Sequence, residues 1–315
     1  MNIFDDFKFN SVKSLIKTFP DEQTCIDFLE KIIWNGEPVS PYDKTAKVYK
    51  CKNNRYKCGK TKKYFTVKSI TIFRNSNISL QDWFLAIWYY TSHKCGLSSM
   101  QLHRDLELTQ KTTWLLLNKL RKSSSFENGH ILANEVEIDE TYVGGKNKNR
   151  HSNKKFKNSQ GRSHTDKVPV FGMLERNGKV NASVVSTVTN DELQTKILKT
   201  INVFATLFTD EWGAYNGLDK YYEHSRVNHG IKQYVDGNAH TNTIENFWGN
   251  FKRAIIGVYR VVSRQHLQRY VDEFVFRYNT RKMTPRGRFI HLISNIKGCN
   301  LSYKQLIMKS KLQLL

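Results

Sequence analysis

Apolar residues first recur at three- and four-residue steps: Val12, Leu15, Ile16 and Phe19, then Cys25, Phe28, Leu29, Ile32 and Ile33. That period puts one apolar stripe on a helix, and Pro20-Asp21-Glu22 between the two sets is a start signal, so two short helices are expected. From Val48 the spacing changes to the alternation of strands, with Val48–Lys50, Arg55–Lys57 across an Asn53-Asn54 turn, and Tyr64–Val67. Helical spacing returns over Leu80–Tyr90, Ser98–Leu106 and Thr109–Leu120, and the run Ser123-Ser124-Ser125 followed by Asn128-Gly129 marks a linker. Beyond it the pattern predicts strand Glu135–Val143, a long basic loop, strand Val168–Glu175, an Asn177-Gly178 hairpin turn and strand Val180–Val188. Helix Asp191–Ile201, strand Ala205–Thr209, a short helix, strand Glu223–Asn228 and a helix from Thr243 complete it.

Three antiparallel strands followed by alternating helix and strand describe a mixed α/β sheet of the ribonuclease H-like kind. The expected order is N-terminal helices over 1–38, a small basic β-ribbon over 39–76, a helical region over 77–125, the α/β domain over 130–262 and a C-terminal helical extension over 263–315. Within 77–125, two short helices joined by a tight link fit a helix-turn-helix. The second would present Lys111, Lys119 and Arg121 to a major groove; a plain bundle with a solvated basic face fits the same spacing.

Charge sharpens this picture. The 315 residues carry 50 Lys and Arg against 28 Asp and Glu, a formal net charge of +22. Lys44–Arg74 holds 11 basic residues and no acid, and Gly144–Lys167 holds 8 basic residues opposed by Asp166 alone, so two stretches carry 18 of the 22. Excess concentrated in this way suits a phosphate backbone, where each neutralised phosphate releases counterions. Nucleic acid is the leading partner and an anionic membrane surface the runner-up, with DNA contacts expected at Arg55, Lys57, Lys146, Lys148, Arg150, Lys252 and Arg253. No apolar run spans a bilayer and no basic amphipathic helix accompanies either run, so no membrane role and a cytoplasmic location, nucleoid-associated when DNA-bound, are expected. Five scattered cysteines without a C-x-x-C pair argue against a disulfide framework.

Three acids fall where this topology brings strands and helix together. Asp139 lies towards the end of the first strand, Asp210 immediately follows the fourth, and Glu245 opens the last helix. First and fourth strands are neighbours in such a sheet, so the three would bracket a gap that hard cations, Mg2+ or Mn2+, can fill. Two ions there would serve an in-line phosphodiester displacement. Asp139 precedes Glu140 and Asp210 precedes Glu211, and strand alternation decides which of each pair points inward. Asn242 three residues before Glu245 also reads as a capping box. Glu245, Trp248 and Lys252 share one helical face.

The residues that carry a resemblance are Glu137-Ile138-Asp139-Glu140-Thr141-Tyr142-Val143-Gly144-Gly145-Lys146, Val170-Phe171-Gly172, Thr209-Asp210 with Trp212, His240-Thr241-Asn242-Thr243-Ile244-Glu245-Asn246-Phe247-Trp248, Gly257-Val258-Tyr259, and His266 through Arg281. In this order they resemble the ISXO-type insertion-sequence transposases. The resemblance implies a DDE catalytic domain with Asp139, Asp210 and Glu245 as catalytic and metal-holding acids, and His240, Asn242 and Trp248 as auxiliary residues. It implies cleavage at terminal inverted repeats and strand transfer by a homo-oligomer on paired ends. Members of the family open with a four-cysteine zinc ribbon. Here Ser40, Asp43 and Thr61 stand at three of its positions beside Cys58, so a ribbon without structural zinc is expected. Arg260-Val261 also departs from the His pair that relatives show. A domesticated DNA-binding regulator and a ribonuclease H-like nuclease without strand transfer are the alternatives.

Overall fold

The computed structural model describes residues 7–144, 151–155, 167–210, 212–227 and 240–308. The chain divides into two compact units, residues 1–124 with 282–315, and residues 125–281. The C-terminal extension expected over 263–315 is therefore split. Its first helix joins the α/β unit, and residues 282–315 fold with the N-terminal unit.

In the N-terminal unit, helices α1 (Val12–Thr18) and α2 (Glu22–Trp34) begin on Ser11 and Asp21, whose side chains accept first-turn N–H groups. Strands β1 (Val48–Lys50), β2 (Tyr56–Cys58) and β3 (Tyr64–Phe65) form an antiparallel ribbon. Asn53 and Asn54 both adopt positive φ in the turn between β1 and β2, as their short polar side chains permit. Helices α3 (Leu80–Ser92), α4 (Ser99–Leu106) and α5 (Gln110–Ser123) follow, capped by Ser79, Ser98 and Thr109. Returning segments α9 (Pro285–Ser294) and α10 (Tyr303–Ile307) complete the unit, and Phe289 of α9 packs among Phe9, Phe28 and Phe84.

The second unit is built on one sheet of β4 (Glu135–Gly144), β5 (Lys167–Glu175), β6 (Val180–Val184), β7 (Thr206–Asp210) and β8 (Glu223–Val227), in the spatial order β6-β5-β4-β7-β8. The first three pair antiparallel, and β7 joins β4, and β8 joins β7, in parallel. This is the mixed sheet the patterning predicts, with first and fourth strands adjacent. Strand β6 stops at Val184, short of the expected Val188. Alternation along β4 sorts its side chains. Val136 and Ile138 join a core with Leu193 and Ile197 of α6 (Asn190–Thr200), whereas Val143 joins a core on the other face with α7 (Asn242–Ala254) and α8 (Arg264–Asn279).

Candidate active site

The two-residue parity of β4 places Glu137 and Asp139 on the face covered by α7 and turns Glu140 to the opposite core. There Glu140 accepts a 2.7 Å hydrogen bond from the hydroxyl of fully buried Tyr215. On β7 the parallel register pairs Glu137 with Phe208, and Phe208 lies 4.0 Å beneath the Arg176 guanidinium that also holds Glu137. Two residues farther along each strand come Asp139 and Asp210, so both acids leave the same face of neighbouring strands. Glu211 lies outside the described residues.

Helix α7 brings the third acid. Gly172 of β5 pairs directly with Asp139, and a Cβ built on Gly172 would stand 2.5 Å from Cζ2 of Trp248. Only glycine admits the indole there, which seats α7 against the sheet beside Asp139. Trp248 is thus a buried packing residue. The helix does not start as expected. Its N-cap is Thr241 rather than Asn242, and Thr241 makes no side-chain cap bond. Instead, Oε2 of Glu137 accepts from the N–H groups of both Thr243 and Ile244 at 2.9 Å.

Each acid accepts a local donor. The Glu140 N–H reaches Oδ1 of Asp139 at 2.8 Å, the Trp212 N–H reaches Oδ1 of Asp210 at 3.1 Å, and the Thr241 hydroxyl reaches Oε1 of Glu245 at 3.1 Å. Their fields overlap at Asp139. Burial, then the charges of Glu140, Asp210 and Glu245, push its carboxyl up to about 8, against the opposing Glu140 N–H. A pocket that resists a third negative charge has the chemistry of a cation site, and carboxylate oxygens suit a hard divalent ion. Among the described residues no three His, Cys, Asp or Glu side chains stand together at ligand distance. Asp139 and Asp210 leave one face of neighbouring strands, and the charges of Asp210 and Glu245 both act on Asp139.

The remaining expected residues divide sharply. His240 faces Glu137 and Arg176. Its Nδ1 lies 3.2 Å from Oε1 of Glu137, and its carbonyl accepts from Arg176 at 2.9 Å. Asn242 is exposed in the first turn. Lys252 and Arg253 are exposed in the last turn of α7, with Arg253 donating to Asn250. On the ribbon, Arg55 lies 4.5 Å and Lys57 5.6 Å from the centre of the half-exposed Tyr64 ring, a cation and aromatic surface. Lys111 is exposed and lies over Tyr303. Lys146, Lys148 and Arg150 lie outside the described residues.

Two expected DNA contacts are corrected. Lys119 is 6% exposed, donating to the carbonyls of Ile72 at 2.9 Å and Arg74 at 3.4 Å, and Arg121 is 1% exposed. Helix α5 is enclosed on more than one side from Leu116 onward, so these cations serve the interior. Sequence reading also missed Glu137 and Arg176. Their signal was available in part, since Glu137 is a charge at core parity on a strand.

At the ribbon tip, Thr61 N–H points to Sγ of Cys58 at 3.5 Å, and Ser40 and Thr61 hold the Cys58 thiol down at about 7. Asp43 pairs with Lys60 at 3.0 Å. One sulfur among these four positions does not make a thiolate zinc site.

In comparison with known proteins, residues 131–279 match the family model described as the ISXO2-like transposase domain. A Halobacterium salinarum protein described as an uncharacterized protein in transposable element ISH50 is 28% identical over 275 residues, covering 83% of this chain and 92% of its own. Among solved structures, the Mos1 strand transfer complex aligns with a TM-score of 0.28 at 12% identity, over 67% of this chain and 74% of that one. The Mos1 paired-end complex with the left transposon end gives 0.28 and 12% over 67% and 75%.

Proposed function

We propose, from the premise that this chain belongs through residues 131–279 to the ISXO-type transposase family, that it binds the terminal inverted repeats of a mobile element, cleaves there and joins the freed ends to target DNA. The observation that supports the reading is the common strand face of Asp139 and Asp210, with the Asp139 carboxyl raised first by burial and then by the charges of Glu140, Asp210 and Glu245. In this reading the three carboxylates hold Mg2+ or Mn2+, two ions in all. When bound, the ions supply Lewis acidity at the scissile phosphodiester.

The chain's own residues do the rest. Trp248 on Gly172 sets the depth of α7. Lys252 and Arg253, exposed at the far end of the same helix, hold phosphates of the DNA end. The tyrosine-backed cations Arg55 and Lys57 grip the backbone from the ribbon, and the exposed start of α5 around Lys111 enters the groove of a helix-turn-helix contact. Pairing of two ends calls for two or more copies.

Labelled element ends incubated with the full-length protein and Mg2+ test this. Cleavage followed by joined products is expected, and Asp139→Asn or Asp210→Asn should abolish both while end binding stays within about twofold. Hydrolysis without joining would favour a nuclease, and binding without cutting a regulator.

A further inference from the structure

We infer that Glu137 is a positioning residue, a buried clamp that fixes the helix bearing Glu245 to the strand bearing Asp139; the inference rests on the transposase reading above. The side chain is 0% exposed, and both of its carboxylate oxygens accept hydrogen bonds. Oε2 takes the Thr243 and Ile244 N–H groups at 2.9 Å. Oε1 takes Nε of Arg176 at 2.9 Å and lies 3.2 Å from Nδ1 of His240, while Nη2 of Arg176 holds the His240 carbonyl at 2.9 Å.

Helix starts leave N–H groups without intrahelical partners, and a residue of the chain just before the helix ordinarily satisfies them. Thr241 stands in that position and its side chain does not. The acceptor comes from a strand more than a hundred residues away in sequence, so the cap doubles as a tether. Its two ends are informative. One is two residues from Asp139 on the same face of β4, and the other is the residue preceding Glu245. A guanidinium on the opposite oxygen compensates the buried charge, which an unpaired carboxylate could not tolerate. Rotation or sliding of the first turn of α7 would break two charge-assisted hydrogen bonds together, so the separation of the two catalytic acids is held before DNA or metal arrives. His240, placed near the third acid by its sequence motif, belongs to this clamp.

The test compares Glu137→Ala, Glu137→Gln and Leu193→Ala in the full chain, at a temperature where each is folded. Leu193 is fully buried in the core on the other face of the sheet, so its truncation destabilises without touching the clamp. Mn2+ binding is titrated by electron paramagnetic resonance, and single-turnover cleavage is measured at saturating DNA. Glu137→Ala is expected to weaken Mn2+ binding and slow cleavage by about 10–100-fold each, with end-DNA affinity within about twofold. Glu137→Gln, which keeps an acceptor for the two N–H groups, is expected to recover most of the loss, and Leu193→Ala to keep wild-type Mn2+ affinity. Wild-type Mn2+ affinity in Glu137→Ala, or an equal loss in Leu193→Ala, would overturn the clamp. Should the wild-type chain neither bind Mn2+ nor cleave, the transposase reading is what fails. Hydrogen exchange then decides the clamp alone: lost protection at Thr243 and Ile244 in Glu137→Ala supports it, and unchanged protection overturns it.

Discussion

Lys119 and Lys252 are the same side chain put to opposite uses. Lys119 donates from the interior to two carbonyls and lies 5.8 Å from the Trp83 ring centre, and burial lowers its pKa. Replacing it by Ala leaves buried acceptors unmatched, so a loss of about 1–3 kcal/mol in unfolding free energy is expected from denaturant titration. Lys252→Ala is expected to leave stability unchanged, weaken DNA binding, and reduce the slope of log K against log salt by about 1. Asp272 supplies a pH-dependent case. Burial raises its carboxyl above the ordinary 3.8 against hydrogen bonds from Asn128 and Gln268. The folded state therefore holds this proton more tightly than the unfolded chain, so its stability contribution is complete at low pH and declines as pH rises through the folded value. Asp272→Asn keeps the acceptor oxygen without the charge. Its melting temperature is expected to exceed that of the wild type at pH 8, with the gap closing toward pH 4.

At the level of elements, local periodicity made most of the architecture legible. The β5–β6 hairpin, the α6 crossover and, to within one residue, the bounds of β7 follow from spacing and turn residues that lie close together in the chain. The common strand face of Asp139 and Asp210 was legible too, because strand adjacency and parity determine it. What spacing did not reveal comes from segments far apart in sequence. Helix α5 looks half-solvated by its own pattern, yet the carbonyls of Ile72 and Arg74 take Lys119, and the carbonyl of Asn300 takes Lys122. The start of α7 looks self-capped, yet β4 supplies the cap. Gly172 marks a close approach that composition alone does not reveal. Gly172→Ala would drive a methyl into the Trp248 ring, and a loss of about 1–3 kcal/mol is expected, together with slowed cleavage as α7 lifts from the sheet. Calorimetry beside single-turnover kinetics measures both effects.

For the whole molecule, the +22 charge and the acidic pocket are complementary. In the transposase reading the cations exposed on ribbon and helices gather a polyanion, and negative groups crowd Asp139, whose carboxyl is raised by burial and by the charges of Glu140, Asp210 and Glu245. That crowding is costly without a counter-ion and chemically useful with one. Anomalous scattering from crystals of the protein with an element end and Mn2+, with a catalytically inert phosphodiester analogue at the cleavage site, tests it most directly. The account predicts a manganese peak between the Asp139 and Asp210 carboxylates, at metal–oxygen distances of roughly 2.0–2.2 Å typical of small hard divalent ions, with Glu245 turned toward it. Manganese bound only elsewhere, with these three side chains apart and the DNA end remote from them, would contradict it.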